Sequence, residues 1–148
     1  MAEHTVSLNK RALHDYEFDR HIEAGLVLVG AEIKAIRAGK VNLRGSFARI
    51  EYPRHGGEPE LVVTNLHIGA GDNPTRTRKL LVHRKEIEQL IGKLQERRLT
   101  LIPVSLYLKR GFAKLDLGLG RGRKQYEKRD RLKRKHRKRQ TERELRGE

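Results

Sequence analysis

The fold is decided by a stretch that reads Thr100-Leu-Ile-Pro-Val-Ser-Leu-Tyr-Leu-Lys109, then Arg110-Gly111, then Phe112-Ala-Lys-Leu-Asp-Leu-Gly-Leu119. Apolar residues alternate along both arms, at positions 104, 106 and 108 of the first and at 115, 117 and 119 of the second. An alternation of period two is typical of a strand with one buried face. Arg110-Gly111 supplies a tight turn of the glycine-containing type. We therefore predict an antiparallel hairpin over residues 100–119.

Upstream of this hairpin the apolar residues change to a helical period. Those at positions 87, 90, 91 and 94 follow the i, i+3, i+4, i+7 pattern, which predicts a helix from about His83 to Arg97. A shorter helix is predicted from Ala31 to Ala38. Glu32 near its start suits the helix dipole, and Gly39 is placed to end it in the left-handed conformation.

The remaining apolar runs predict further strands. They cover residues 22–29, 46–52 and 60–68, while 69–79 is predicted to be a loop and 1–16 is assigned no element. The chain is thus mainly β, with about six short strands and two or three helices. Two architectures fit this count, a small OB-like closed antiparallel barrel with flanking helices and an open α+β sheet. We choose the barrel, because closing the sheet leaves few unpaired edges, and keep the open sheet as the alternative.

Positive charge is concentrated at the end of the chain. The 148 residues carry a net charge of +15, and residues 121–148 alone hold 14 Lys and Arg against 5 Asp and Glu, a net +9. A segment with so few apolar side chains cannot offset its ordering entropy, so it should be disordered when free. We therefore divide the chain into a folded domain, 1–120, and a basic tail, 121–148. The tail either keeps the protein soluble or binds a polyanion, which would neutralise its self-repulsion.

Composition excludes several classes of protein. The absence of cysteine removes disulfides and thiolate chemistry. No apolar run is long enough for a signal peptide or a membrane span, so we expect a cytoplasmic protein that does not use a membrane. No helical metal-binding histidine pair, nucleophile elbow or phosphate-binding loop is present. We expect neither an enzyme nor a cofactor or metal, and the basic composition favours nucleic acid as the partner.

Basic residues outside the tail form three clusters. Taken singly each is an ordinary solvated patch, whereas together on one face they would fix the register of an RNA. The chain has three Phe, four Tyr and no Trp, so recognition of the shape of a folded RNA is expected rather than extensive base stacking. The clusters are Asn9-Lys10-Arg11, Arg37-Ala-Gly-Lys40 and Arg76-Thr-Arg78-Lys79.

At these residues the chain resembles the small protein B (SmpB) family, which binds the transfer-messenger RNA (tmRNA) of bacterial ribosome rescue. The resemblance covers nearly the whole chain. It rests on Asn9-Lys10-Arg11-Ala12-x-His14-Asp15-Tyr16, Glu23-Ala24-Gly25-Leu26, Gly30-Ala31-Glu32-Ile33-Lys34, Arg37-Ala38-Gly39-Lys40-x-Asn42, Asp72-Asn-Pro74-x-Arg76-x-Arg78-Lys79-Leu80-Leu81, Leu106-Tyr107-x-Lys109 and Gly120-Arg121-Gly122-Arg123-Lys124.

This resemblance implies an OB-type barrel and a non-catalytic, monomeric RNA-binding protein. The family grips the tRNA-like domain of tmRNA and acts with the elongation factor that carries aminoacyl-tRNA. Glu23 would either accept hydrogen bonds from base or ribose groups or orient a neighbouring arginine. The residues carried over as RNA-binding are Glu23, Leu81 and Lys114, with Asn9, Lys10, Arg11, His14, Arg37 and Lys40 as phosphate or sugar contacts.

The resemblance also implies a role for the tail on the ribosome. In the family it enters the decoding centre and the empty mRNA channel, contacts small-subunit RNA and becomes helical there. Where many members read His-Asp-Lys-Arg, this chain reads Tyr126-Glu127-Lys128-Arg129, which keeps a stacking ring and a negative charge but loses an imidazole. The tail residues expected at the decoding centre are Gly122, Arg123, Lys124, Tyr126, Glu127, Lys128 and Arg129.

Two rival functions follow from the composition. A general OB-type RNA-binding or ribosomal protein would bind unrelated RNAs with similar affinity through phosphate contacts alone. An RNA-processing enzyme would show a metal- or pH-dependent turnover that substitution of a His or Asp removes.

Overall fold

A computed structural model of the protein describes residues 4–96 and 99–122. This part of the chain is mainly β, with nine strands and three helices. In chain order they are β1 His4–Leu8, α1 Lys10–Asp15, β2 Tyr16–Leu26, α2 Gly30–Arg37, β3 Val41–Asn42, β4 Phe47–Glu51, β5 Glu60–Thr64, β6 His67–Ile68, β7 Arg78–Leu81, α3 Arg84–Glu96, β8 Thr100–Lys109 and β9 Phe112–Gly122.

The predicted hairpin is present as β8 and β9. Lys109 pairs with Phe112, and the two residues between them have positive φ, 52° at Arg110 and 81° at Gly111. Two positive φ values in a two-residue loop are the type I′ geometry, whose twist matches that of the strands it joins. The hairpin is therefore closed by a turn that its own sequence specifies.

One detail of the β8 prediction is wrong. A β-bulge between Pro103 and Ser105 shifts the register, so Leu101 and Leu106 both face the core despite their odd spacing. Val104 is buried but does not join the core cluster that contains Leu106. A bulge adds one residue to one strand and thereby reverses the alternation beyond it.

Six of the strands form a ring. Antiparallel pairings run from β8 to β4, β5, β7, β2 and β9, and β9 pairs with β8 again. Strand β1 is added outside the ring along the C-terminal half of β8, and β3 pairs with β6 in a separate two-stranded sheet. Closing a sheet on itself removes unpaired edges.

Apolar side chains from the strands fill the interior, and α2 and α3 add to them. Each fully buried leucine of this kind stabilises the fold by about 2 kcal/mol. The core side chains that are at most 1% exposed are Ala24, Ile36, Leu43, Leu61, Val63, Leu66, Ile68, Leu90, Leu101, Leu106, Leu115, Leu117 and Leu119.

The strand predictions missed elements that have few apolar residues. Strand β1 and helix α1 occupy a region assigned no element, because β1 has two apolar residues, Val6 and Leu8, and is a half-exposed strand added outside the ring. Strand β2 begins at Tyr16, six residues before the predicted start at Ile22, because its first half pairs with β9 without entering the core cluster.

Two further boundaries differ in the middle of the chain. The single strand predicted over 60–68 is split by Asn65, whose φ of 62° turns the chain so that β6 pairs with β3. The predicted loop 69–79 ends early, because Arg78 and Lys79 already belong to β7.

Candidate nucleic-acid interface

The outer face of strands β2, β7, β8 and β9 carries charged, aromatic and apolar side chains that the pleat separates from the core. Ile22 and Ala24 are buried, whereas Glu23 between them is exposed. The register of the four strands brings further side chains to the same face. This outer-face patch consists of Glu23, Leu81, Tyr107, Lys109 and Lys114.

Gly25 lies at the centre of the outer-face patch. It pairs with Leu81 on one side and with Lys114 on the other. A Cβ atom at position 25 would lie 3.4 Å from the Leu81 Cβ atom and 3.6 Å from the Lys114 ammonium nitrogen. Leu81 and Lys114 therefore approach each other over Gly25, which has no side chain. Because Leu81 is 57% exposed, this places an apolar surface beside a cation.

Two residues of β8 hold the carboxylate of Glu23. The Tyr107 hydroxyl donates a hydrogen bond to Oε2, and Lys109 Nζ lies 3.5 Å from the same oxygen. The Tyr107 hydrogen bond lowers the pKa of Glu23; burial opposes this, and Lys109 and Lys114 lower the pKa further. Glu23 is therefore ionised at neutral pH. Its carboxylate contacts a tyrosine and a lysine, whereas the family resemblance left open a neighbouring arginine or a base or ribose group of the RNA.

Asn9 has a structural role. Its side-chain amide donates hydrogen bonds to the carbonyl oxygens of Pro103 at 2.9 Å and Leu43 at 3.3 Å. Its Oδ1 accepts the backbone N–H of Ala12 at 3.1 Å and so caps α1. Asn9 is 5% exposed and its amide is committed to these partners, so its side chain holds α1 against β8. Its predicted contact with RNA stays a prediction.

The other predicted residues of α1 are exposed. Arg11 Nε lies 3.4 Å from the Asp15 carboxylate, and His14 Nδ1 lies 3.1 Å from its other oxygen. Such exposed pairs contribute little to stability, so the side chains are held only loosely. Lys10, Arg11 and His14 therefore form a basic surface on a short helix that Asn9 anchors to β8.

Arg37 and Lys40 flank the end of α2. The φ of 75° at Gly39 ends the helix in the predicted left-handed conformation. The Lys40 carbonyl accepts the backbone N–H of Gly69 at 2.8 Å, which fixes its backbone. Both side chains are exposed.

The third basic cluster belongs to the fold. Arg78 is 0% exposed and Glu32 3%, and Arg78 Nε donates to Glu32 Oε2 at 2.5 Å. Arg76 donates to both oxygens of the same carboxylate, and Lys79 pairs with Glu60 at 3.2 Å. A cluster that the sequence suggested for RNA is thus drawn into ion pairs within the protein.

The environment of Glu32 keeps this carboxylate charged. Burial raises its pKa, but hydrogen bonds from Arg76, from the Val29 backbone N–H and from Arg78 outweigh burial, so the pKa lies below its ordinary value. Arg78 also donates to the carbonyl oxygens of Leu66 at 2.7 Å and Pro74 at 2.9 Å. Glu32 and Arg78 together attach the 69–77 loop to α2.

Of the predicted tail residues, Gly122 falls within the described part of the chain. It pairs with Tyr16 at the end of β9, so this strand continues two residues past the domain boundary placed at 120. The predictions for Arg123, Lys124, Tyr126, Glu127, Lys128 and Arg129 lie outside the described residues.

Within residues 4–96 and 99–122, no three His, Asp or Glu side chains are grouped so that they could hold a metal ion.

The helices of the same ranges are all too short or too polar to cross a membrane.

Tyr107 and Lys109 belong to a motif shared with the SmpB family, but the sequence did not predict them as residues of the site. A signal for them was present, because alternation along the hairpin puts 107 and 109 opposite the buried Leu106. The same alternation puts Lys114 on that face of the second arm. Their joint contact with Glu23 depends on the register between distant strands and was not visible.

Comparisons with known proteins show what this chain is similar to. The chain is 51% identical to an SsrA-binding protein of Bacillus cytotoxicus, with 95% of this chain and 92% of the relative covered. It is 50% identical to the SsrA-binding protein of Bacillus subtilis (strain 168), with 95% and 91% covered. A chain from a solved structure described as "tmRNA-SmpB: a journey to the center of the bacterial ribosome" is 44% identical, with a TM-score of 0.63 over 78% of this chain and 82% of that one. The model of the SmpB protein family matches residues 6–147, and the chain belongs to the SmpB family.

Proposed function

We propose that this chain binds the tRNA-like domain of tmRNA and delivers it to stalled ribosomes for trans-translation. It acts in the cytoplasm by binding alone, without catalysis or cofactor. The similarity to SsrA-binding proteins and to the tmRNA–SmpB chain supports this proposal at the level of the whole molecule. At the level of the site, the supporting observation is the outer-face patch, which gathers Glu23, Leu81 and Lys114 from three strands.

The patch suits a folded RNA better than an extended strand. It offers two ammonium groups, Lys109 and Lys114, beside the apolar surface of Leu81. Lysines contact phosphates without regard to sequence, and apolar contact beside them favours a surface where sugars or bases are displayed. We propose that Lys10, Arg11, His14, Arg37 and Lys40 add phosphate or sugar contacts outside the patch.

We further propose that the six-stranded ring is the OB-type barrel of the family. The ring pairings, the antiparallel order and the helices around it support this interpretation. The basic tail would extend from the end of β9 to the decoding centre and the empty mRNA channel. The residues that would contact ribosomal RNA there are Arg123, Lys124, Tyr126, Glu127, Lys128 and Arg129.

Competition binding tests the function. The tRNA-like half of tmRNA should outcompete an ordinary elongator tRNA at moderate salt, because contacts at the patch persist after non-specific phosphate contacts weaken. The Lys114→Ala variant should weaken binding to the tRNA-like RNA and reduce the salt slope by about 1. Lys85→Ala, which removes an exposed lysine of α3 outside the patch, serves as the matched control. Equal affinity for both RNAs would favour a general RNA-binding protein.

A further inference from the structure

Phe112 is an exposed aromatic residue that does not belong to the hydrophobic core of the described residues. It is 69% exposed, the most of the large hydrophobic side chains recorded as exposed. It lies at the first position of β9, directly after the turn, and pairs across the hairpin with Lys109. Burying a phenylalanine side chain contributes about 2 kcal/mol, so a partner that covered this ring would gain that amount.

The orientation of Phe112 follows from the alternation of β9. Ala113 and Leu115 are buried, so Phe112 and Lys114 lie on the opposite, outer face. Two residues along a strand span about 7 Å. Phe112 therefore extends the outer-face patch at the hairpin tip, within a lysine side chain's reach of Lys114 and beside Lys109.

The turn makes this presentation rigid. Arg110 and Gly111 adopt the two positive φ values of a type I′ turn, and Phe112 pairs with Lys109 of β8, while β2 pairs with β9 from Lys114 onward. A ring on a fixed hairpin loses little entropy on binding, because two side-chain angles are all that must be ordered. Arg110 is also exposed, so cationic residues at positions 109, 110 and 114 flank Phe112 along the hairpin.

These neighbours select the kind of partner. A second copy of this chain is disfavoured, because a net charge of +15 makes like surfaces repel. An aromatic face among cations is the combination that binds nucleic acid, where a base stacks on the ring and its phosphates contact the ammonium groups. In RNA recognition, aromatic side chains usually stack on bases of loops and bulges, which are unpaired.

We propose that Phe112 stacks on an unpaired loop base of the RNA held by the outer-face patch, with Lys114 on the adjoining phosphate. This inference rests on the proposed function, since it takes the tRNA-like domain of tmRNA as the RNA. It adds a stacking subsite to the charged and apolar contacts of the patch.

Substitution of Phe112 tests the stacking. Binding of the tRNA-like domain at one moderate salt concentration should weaken by about 5- to 100-fold in Phe112→Ala. Phe112→Trp should bind as tightly as the unaltered protein, whereas Phe112→Leu, which keeps apolar area without a ring, should lose affinity like the alanine variant. The slope of log Kd against log salt should stay unchanged in Phe112→Ala, because stacking releases no counterions.

Tyr52→Ala is the matched control, since Tyr52 is 59% exposed but follows β4, away from the patch. It should bind like the unaltered protein, and thermal unfolding should confirm that every variant is folded. Unchanged affinity in Phe112→Ala, or full affinity in Phe112→Leu, would overturn the stacking. This test compares the affinities of several variants for one RNA, whereas the competition experiment compares two RNAs on the unaltered protein. Failure of the competition would therefore refute the tmRNA assignment, and failure of this test would refute the stacking.

Discussion

At the scale of single residues, Glu32 and Arg78 show how a buried charge is made tolerable. Arg78 is fully buried, and its guanidinium donates to one carboxylate and to three backbone carbonyls, those of Leu66, Pro74 and Arg76. Removing one member would leave the other charge uncompensated in the interior, which typically costs 3–5 kcal/mol. The pair thus stabilises the loop before β7 at the expense of two basic side chains, Arg76 and Arg78, that could otherwise meet RNA.

Substitution of Glu32 by glutamine should therefore destabilise the protein by about 3 kcal/mol at neutral pH. The folded-state pKa of Glu32 lies below its ordinary value of 4.5, so its contribution is complete above that pH and is lost as the pH falls through the folded pKa. The difference in unfolding free energy between the unaltered protein and Glu32→Gln should shrink over that acidic range. Chemical denaturation at several pH values measures it.

Glu58→Gln provides the control for this prediction. Glu58 pairs with Arg84 at 2.7 Å, but both side chains are well exposed, so its removal should change stability by less than about 0.5 kcal/mol. A similar loss in the two variants would contradict the argument from burial.

At the scale of elements, the contact between β2 and β9 depends on glycines in β9. A Cβ atom at Gly120 would lie 2.1 Å from the Glu17 carbonyl oxygen, and one at Gly118 would lie 2.5 Å from the Phe18 ring. The Phe18 ring packs over Gly118, and it stacks beside Tyr16 with ring centroids 6.0 Å apart. A glycine in a strand often marks such a close approach.

The substitution Gly120→Ala should accordingly destabilise the protein by about 3 kcal/mol, because the obstructing atoms belong to the backbone and cannot move aside. Gly122→Ala is the matched control two residues on, where a Cβ atom would meet its nearest neighbour, Tyr16, at 3.9 Å. Thermal or denaturant unfolding of the two variants gives the comparison. Equal stabilities would mean that β2 and β9 can separate at this point without loss.

At the scale of the whole molecule, the chain joins a ring of strands to a strongly charged C-terminal end. Residues 121–148 carry +9 of the net +15, while Glu23, Leu81 and Lys114 belong to strands of the ring and lie on its outer face. Charge alone gives salt-sensitive affinity for any RNA, whereas a fixed patch discriminates among RNAs. The two parts should therefore be separable by truncation.

A chain ending at Gly122 should keep its preference for the tRNA-like RNA at moderate salt and lose tagging on stalled ribosomes. Ending it there, and not at 120, preserves the pairing of β9 with Tyr16 and Glu17. Binding competition and an in vitro tagging reaction measure the two activities, with removal of residues 144–148 as the control that should leave both intact. Equal loss of binding and tagging would refute this division of labour.

Local patterns in the sequence predicted the elements that carry their own apolar face. The hairpin 100–119 with its turn at Arg110-Gly111, the helix over 31–38 ended by Gly39, and the long helix before the hairpin are all present. These features depend on neighbours a few residues apart, and such neighbours are what periodicity records. The positive charge of residues 121–148 is likewise a property of composition alone.

The tertiary structure decided which of the similar residues contact which. Arg37 and Arg78 look alike in the sequence, yet Arg37 is exposed and Arg78 is buried against Glu32, 46 positions away. Tyr107 meets Glu23 across 84 positions, and the bulge at Val104 determines which side chains of β8 share the outer face with them. Such contacts depend on strand register and on closure of the ring. Both are determined by segments far apart in the sequence, so no local pattern could have predicted these contacts.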